Sequence, residues 1–375
     1  MNKTTKIVLW IVVIALVIWG ISCLVKKDSV TPVTPTTEKV IKIGAILPLT
    51  GPIASAGEFA KQGVELAVKD LLAEGKKVEV IFEDNAYDSK VALSAYNKLR
   101  TLNKVDVVVV FGSPAAMPLI PIVNQDQVPM LALTAAPAYS TPDDYAFRIV
   151  GTADKEAELT ADVLIDKLGK KKIAVLYLNS DYGTGALAAF KKYAANRATI
   201  VAEESSAPGQ SDYRAQLAKV KAANPDGIFL ATLYREAGTI LKQAKELGIK
   251  VPMMCGQPCD VPELFSTAGS AAEGLLVTAP TNKTSAKFAE EYQKSYGQDF
   301  LSYLTLRHYD AIKILSFVGE ACQNSAYSGE CIKKQLDDLS DFPGLSYQIN
   351  FDNNGDINDQ TSVKVARDGK YVPYE

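Results

Sequence analysis

Five short sets of small, hydroxyl-bearing and aromatic residues stand where apolar runs end: Gly112-Ser113, Thr134-Ala135-Ala136, Asp181-Tyr182-Gly183, Leu233-Tyr234 and Gly256-Gln257. Hydroxyls and the free N–H groups of helix starts donate hydrogen bonds to a carboxylate, and aromatic rings cover an apolar body. Each set alone reads as a turn or a cap. Their recurrence at the same end of successive strands makes them a candidate binding site, because ligands of open α/β sheets sit outside the carboxyl ends of the strands.

Catalytic machinery is largely missing. The single histidine, His308, falls in a helical stretch (304–314), where packing or surface roles outweigh chemistry. No nucleophile elbow G-x-S-x-G, phosphate loop G-x-x-x-x-G-K or zinc-binding helix motif occurs. Gly183-Thr184-Gly185-Ala186-Leu187-Ala188 imitates a dinucleotide fingerprint, but Asn179-Ser180-Asp181-Tyr182 separates it from the preceding strand, too far for a pyrophosphate to reach the helix start. Asp352-x-Asn354-x-Asp356 begins like a calcium loop, yet Val363 occupies the twelfth position where a glutamate belongs, so it reads as a polar β-turn. No cofactor and no metal site follow from these residues. Cys322 and Cys331 are spaced to close a small disulfide loop; Cys255 and Cys259 are spaced for a second disulfide or, less readily, a metal, with no histidine nearby.

These residues are positioned by alternating short apolar strands and amphipathic helices, the pattern of parallel sheets with crossover helices. In a first block, strands at 40–47, 77–82, 105–111, 129–133 and 145–150 alternate with helices at 58–73, 91–102 and 115–124. A second block runs helix 156–168, strand 172–178, helix 185–195, strand 199–203, helix 213–223, strand 227–231, helix 237–247. A strand at 275–278 leads out of it. Helices at 285–296 and 304–322 lack strands of their own and are expected to pack back on the first block, and strands at 347–351 and 362–366 form a hairpin-like pair returning to the second.

At 375 residues the chain exceeds a single ordinary core. Its 43 acidic and 40 basic residues leave a net charge of −3, with no field to hold nucleic acid. Residues 7–25 carry no charge and are flanked by Lys3, Lys6, Lys26 and Lys27; as a helix this run reaches roughly 28 Å, enough to cross a hydrocarbon core. It reads either as a retained anchor or as an export signal, and Gly20-Ile21-Ser22-Cys23 is similar to a lipobox in which Cys23 becomes lipidated. The Thr/Pro/Ser-rich stretch 26–39 is a spacer. The even count of four cysteines in the body suits an oxidising compartment.

Four segments, IGAILPLTGPIASAGEFAKQGVELAV, DYGTGALAAFKK, AGTILKQAKELGI and TAGSAAEGLLVTAPTN, resemble, in order, the periplasmic leucine/isoleucine/valine-binding proteins, the type I solute receptors of ABC importers. The resemblance implies an α/β fold of two doubly wound Rossmann-like lobes joined by three crossovers, preceded here by an N-terminal hydrophobic helix. Lobe 1 would comprise 40–151 plus 279–340 and lobe 2 would comprise 152–278 plus 341–375. It places Ser113 on a serine that holds the ligand carboxylate, Thr134 and Ala135 on the segment that binds carboxylate and ammonium, and Tyr182 and Tyr234 on second-lobe aromatics that close over the ligand. Two positions depart from the family: Ala56 replaces a first-lobe aromatic, and Gln257 replaces the acid that pairs with the ligand ammonium. A buried ammonium without a counter-charge is costly, so either Asp260 substitutes or the ligand is an amide, a carboxylic acid or another small polar solute. The implied protein is an extracytoplasmic, membrane-tethered solute trap that delivers to an ABC permease and performs no chemistry. A membrane-anchored sensor and an enzyme on the same fold are its rivals.

Overall fold

The computed structural model describes residues 39–136, 139–280, 284–298 and 302–375. The expected N-terminal hydrophobic helix, Cys23 and nearly all of the spacer lie outside the described residues. Among the described residues no helix is long and apolar enough to cross a membrane.

The first sheet contains β1 (Ile41–Leu47), β2 (Val78–Asp84), β3 (Val107–Phe111), β4 (Met130–Leu133) and β5 (Ala146–Arg148), all parallel in the order β2-β1-β3-β4-β5. β3 is a continuous Val-Val-Val-Val-Phe run, buried throughout, as a strand covered on both faces requires. Helices α1 (Ala54–Ala73) and α2 (Ser89–Lys98) are the first crossovers. Asp88 caps α2, accepting from the backbone N–H groups of Lys90 and Val91. The helix expected over 115–124 is instead three pieces: α3 (Ser113–Ala116), a 3₁₀ turn (Met117–Leu119) and α4 (Ile120–Asp126). Pro114, Pro118 and Pro121 each sit at the start of a piece, where a missing N–H is tolerated.

After α5 (Ala153–Ala161) the second sheet begins with β6 (Lys172–Leu178), α6 (Asp181–Ala194), β7 (Thr199–Ser206), α7 (Arg214–Ala222), β8 (Gly227–Ala231), α8 (Tyr234–Glu246), β9 (Met253–Cys255), α9 (Glu263–Ala268) and β10 (Leu276–Pro280). Then come α10 (Ala286–Tyr296), α11 (Tyr303–Ala321), α12 (Gly329–Asp337), the two-residue strands β11 (Phe342–Pro343) and β12 (Gln348–Ile349), and finally β13 (Thr361–Arg367) and β14 (Lys370–Pro373). The second sheet runs β7-β6-β8-β9-β10-β13-β14, with β13 antiparallel to both neighbours.

Helices α10 and α11 pack on α1: Tyr292 and Tyr296 donate to Gln62, Thr305 Oγ1 donates to the Phe59 carbonyl, and Tyr309 donates to Asp70. The chain therefore passes to the second sheet after β5, returns after β10 and passes back before β13. The terminal strands differ in detail from the sequence reading. Residues 347–351 do not pair with 362–366; Gln348–Ile349 pairs with Phe342–Pro343, and β13 takes β14 as its hairpin partner. Asp368-Gly369, both at positive φ, supply the tight turn that fixes this register. The stretch before β13 lies against the first sheet, where Phe351 meets Phe147 edge-on at 5.3 Å and Gly355 accepts from Arg148 N–H at 2.8 Å. The pairings thus place the last crossing later than residue 341, and β10 extends two residues past 278.

Candidate functional site

Thr134 follows β4 and Gly112-Ser113 follow β3, with Gly112 at φ +103°, a conformation open to glycine that lets the Tyr87 ring lie where a side chain would be. Thr134 Oγ1 donates to Ser113 Oγ at 2.8 Å. The Ser113 hydroxyl, having accepted, keeps its own proton to donate into the cleft. The Thr134 segment is anchored from behind by the fully buried Arg148, whose Nη1 donates to the carbonyls of Thr134 and Ala136 and whose Nε donates to Asp356 Oδ1 at 2.8 Å. The Asp352–Asp356 turn, calcium-like in sequence, is a backbone turn: Asp352 Oδ1 accepts from the N–H groups of Asn354 and Asp356. Among the described residues no group of acidic, histidine or cysteine side chains is arranged to hold a metal.

Across the cleft, Tyr182 is the second residue of α6, whose N-cap Ser180 accepts from Gly183 N–H. Tyr234 opens α8, and its hydroxyl lies 2.7 Å from Ser55 Oγ of α1, a hydrogen bond that spans the two halves. Gln257 begins a 3₁₀ turn after β9, and its Nε2 donates to the Gly151 carbonyl at 3.0 Å. That turn is bracketed by the Cys255–Cys259 disulfide; Cys322 and Cys331 form another, remote from the cleft, joining the end of α11 to α12.

Ser113, Thr134, Ala135, Tyr182, Tyr234 and Gln257, singled out in the sequence, all line one cavity. Ala56 is on its wall too. The cavity admits water centres over ≈ 60 Å³, several times the about 10–15 Å³ that one water needs. None of the described residues on its wall carries a charge, and Tyr87, Phe111, Tyr182, Tyr234 and Tyr303 make it largely aromatic. Asp260 does not replace the missing acid: it is off the wall, 1 % exposed, and bound by Lys364 Nζ at 2.8 Å. His308 is buried behind Phe111 with Nδ1 2.8 Å from the Leu304 carbonyl, and burial lowers its pKa to about 4, so it is neutral.

Tyr87, Tyr303 and Glu156 were not found from sequence. Tyr87 stands in the turn three residues past β2, as near a strand end as the others, whereas Tyr303 opens a helix in which nothing local marks it. Glu156, 1 % exposed in the first turn of α5, lies just behind the wall, where its Oε2 accepts from the Tyr182 hydroxyl and from Gln257 N–H, both at 3.1 Å. Burial pushes its carboxyl up to about 7 against the pull of those two donors.

Residues 40–367 match the family of periplasmic binding proteins. The Leu/Ile/Val-binding protein homolog 3 of Brucella melitensis is 27% identical over 347 residues, covering 89% of this chain and 94% of that protein. Among solved structures, the branched-chain amino acid transporter substrate binding protein LivJ of Streptococcus pneumoniae, in complex with isoleucine, is 26% identical with a TM-score of 0.81, covering 89% of this chain and 98% of its own. A solute binding protein of an ABC transporter from Rhodopseudomonas palustris BisB5, in complex with 3,4-dihydroxybenzoic acid, is 25% identical with a TM-score of 0.79, covering 90% and 96%. These are solute-binding proteins rather than enzymes, and this chain, with its two doubly wound sheets and the cavity between them, belongs to the periplasmic leucine/isoleucine/valine-binding protein family of type I solute receptors.

Proposed function

We propose that the protein captures a small carboxylate with an apolar or aromatic body and no ammonium group, closing its two lobes over it and presenting it to an ABC permease. The observation that carries this reading is the uncharged wall. Where the family places an acid, Gln257 offers an amide, and an ammonium brought into the cavity would meet no counter-charge on its wall, Glu156 lying behind it and accepting from Tyr182 and Gln257, which is costly. A carboxylate fares better, because the Ser113 hydroxyl, oriented by the bond it accepts from Thr134, donates to it and the tyrosine and phenylalanine faces cover the rest. The Rhodopseudomonas relative bound to 3,4-dihydroxybenzoic acid supports a ligand of that chemistry on this scaffold, and the isoleucine-bound Streptococcus protein stands for the alternative. The uncharged run at 7–25 and Cys23 support attachment to the outer face of a cytoplasmic membrane, by a retained helix or a lipid. Thermal-shift measurement against benzoate, dihydroxybenzoate, aliphatic carboxylates, amides and amino acids tests the ligand class, since a ligand of the folded state raises the melting temperature by mass action. Aromatic carboxylates are expected to raise it. A response to leucine or isoleucine alone would sink the reading.

A further inference from the structure

Tyr182 and Gln257 reach the cavity from different elements, α6 and the turn after β9, and they meet at one atom. Glu156 Oε2 accepts from the Tyr182 hydroxyl and from the Gln257 backbone N–H, each at 3.1 Å. Gly256 shows how tightly the three are gathered: a Cβ on it would collide with both the Tyr182 hydroxyl and the Glu156 carboxylate, so only a glycine allows the turn to come this close. The other carboxylate oxygen, Oε1, is buried and has no partner, as is Gln257 Oε1. A buried acid is an expensive way to fill space, and an apolar side chain would do so without the desolvation cost. What this acid supplies is a single acceptor shared by two parts of the cavity wall.

We propose that Glu156 is a positioning residue of the binding site, holding the Tyr182 ring and the Gln257 turn in register with each other through one carboxylate oxygen. The inference rests on the carboxylate-binding reading above for its ligand chemistry. Around Glu156, Tyr182 comes from α6, Tyr303 from α11 and Asp359 from the segment before β13; Asp359 is bound to Arg307, and the Asp260–Lys364 pair lies beyond the Gln257 turn. Asp359 raises the Glu156 carboxyl further, in the same direction as burial. An anionic ligand on the other side of Tyr182 acts in that direction too, so capture of a carboxylate is accompanied by proton uptake at Glu156 and tightens as pH falls through about 7.

Two variants separate positioning from packing. Glu156→Gln keeps an acceptor oxygen at the same reach but does not titrate; Glu156→Leu keeps bulk and removes the acceptor. Affinity for benzoate and for isoleucine is measured by calorimetry at pH 6 and pH 8, together with amide hydrogen exchange at Gln257 in the empty protein. For the probe that wild type binds, Glu156→Leu is expected to weaken affinity about thirtyfold, because two buried donors lose their partner. Glu156→Gln should stay within about threefold of wild type and lose the pH dependence. Gln257 exchange in empty Glu156→Leu should rise at least about tenfold. Wild-type affinity in Glu156→Leu, or a pH profile that persists in Glu156→Gln, would overturn the proposal. Failure of wild type to bind benzoate would sink the carboxylate reading alone; Gln257 exchange unchanged in Glu156→Leu would sink the role of Glu156 alone.

Discussion

The two walls of the cavity are built on opposite plans. On the first sheet, Ser113 and Thr134 stand directly at strand ends, bonded to each other and backed by Arg148, whose charge is spent on carbonyls and Asp356. That wall is short in sequence and set by its own sheet. On the second, Tyr182, Tyr234 and Gln257 come from three elements and depend on groups behind them: Glu156, the Gly151 carbonyl and the Cys255–Cys259 disulfide. The difference separates two tasks. On the proposed carboxylate reading, the first wall offers the Ser113 hydroxyl to the charged end of the ligand and the second covers its body.

If that division holds, the largest effect belongs to the first wall. Ser113→Ala combined with Thr134→Val, which removes the donor and the group that orients it, should weaken benzoate binding about ten- to hundredfold, since a hydroxyl bond to a charged group contributes about 1.5–3 kcal/mol. The melting temperature of the empty protein should stay near that of wild type. Surviving affinity in calorimetry would place the carboxylate elsewhere. Next comes Gln257→Glu, which puts an acid on the second wall: benzoate affinity should fall roughly tenfold or more and isoleucine affinity should rise, an exchange of preference read from paired titrations. No exchange would mean that the ligand body, and not its charge, is what Gln257 meets.

The disulfides offer a smaller and sharper contrast. Opening either by paired serine substitution should cost stability of about 2 kcal/mol from loop entropy. Only Cys255→Ser with Cys259→Ser should also weaken ligand binding, by about three- to tenfold, because only that bridge holds a wall residue. Equal affinity losses from both pairs would erase the distinction. Ser55→Ala, which removes the bond to Tyr234 across the cleft, should cost about three- to fivefold, mainly as faster dissociation in stopped-flow measurements. The last comparison is of stability against pH. Glu156 has its pKa raised from 4.5 to about 7, so in that window the folded state holds a proton that the unfolded chain has lost. Its contribution to stability therefore declines as pH rises from about 4.5 to 7. Melting curves of Glu156→Gln against wild type should show a gap in favour of the variant that is near zero at acid pH and widens to a plateau above neutrality. Asp310, also raised to about 7 by burial with Arg307 opposing, titrates in both proteins and cancels in the difference.

Most of the parallel strands were plain in the sequence because they are short apolar runs, as in Val107–Phe111, bounded by polar turn residues; β9, three residues long, was not read from it. The wall residues were legible because they stand close behind strand ends, Ser113 and Thr134 within two residues and Tyr182, Tyr234 and Gln257 within four. The segment after β10 was harder. The strands expected at 347–351 and 362–366 had the right composition, but hairpin register depends on which turn is tight, and the Asp368-Gly369 turn won. The prolines between Ser113 and Asp126 divided an apolar run that periodicity alone presents as one helix.

What the sequence determined by itself is therefore local: where strands end, which small and hydroxylic residues stand there, and that a charged partner is absent at Gln257. Those properties follow from residue type and immediate neighbours. Only the tertiary structure decided that Asp260 is spent on Lys364, that Ser55 reaches Tyr234, and that Glu156 joins Tyr182 to Gln257. Each of these pairs is brought together by a crossover or by sheet order, with 26 to 179 residues between partners, and contacts at that separation leave no period or spacing in the chain to read.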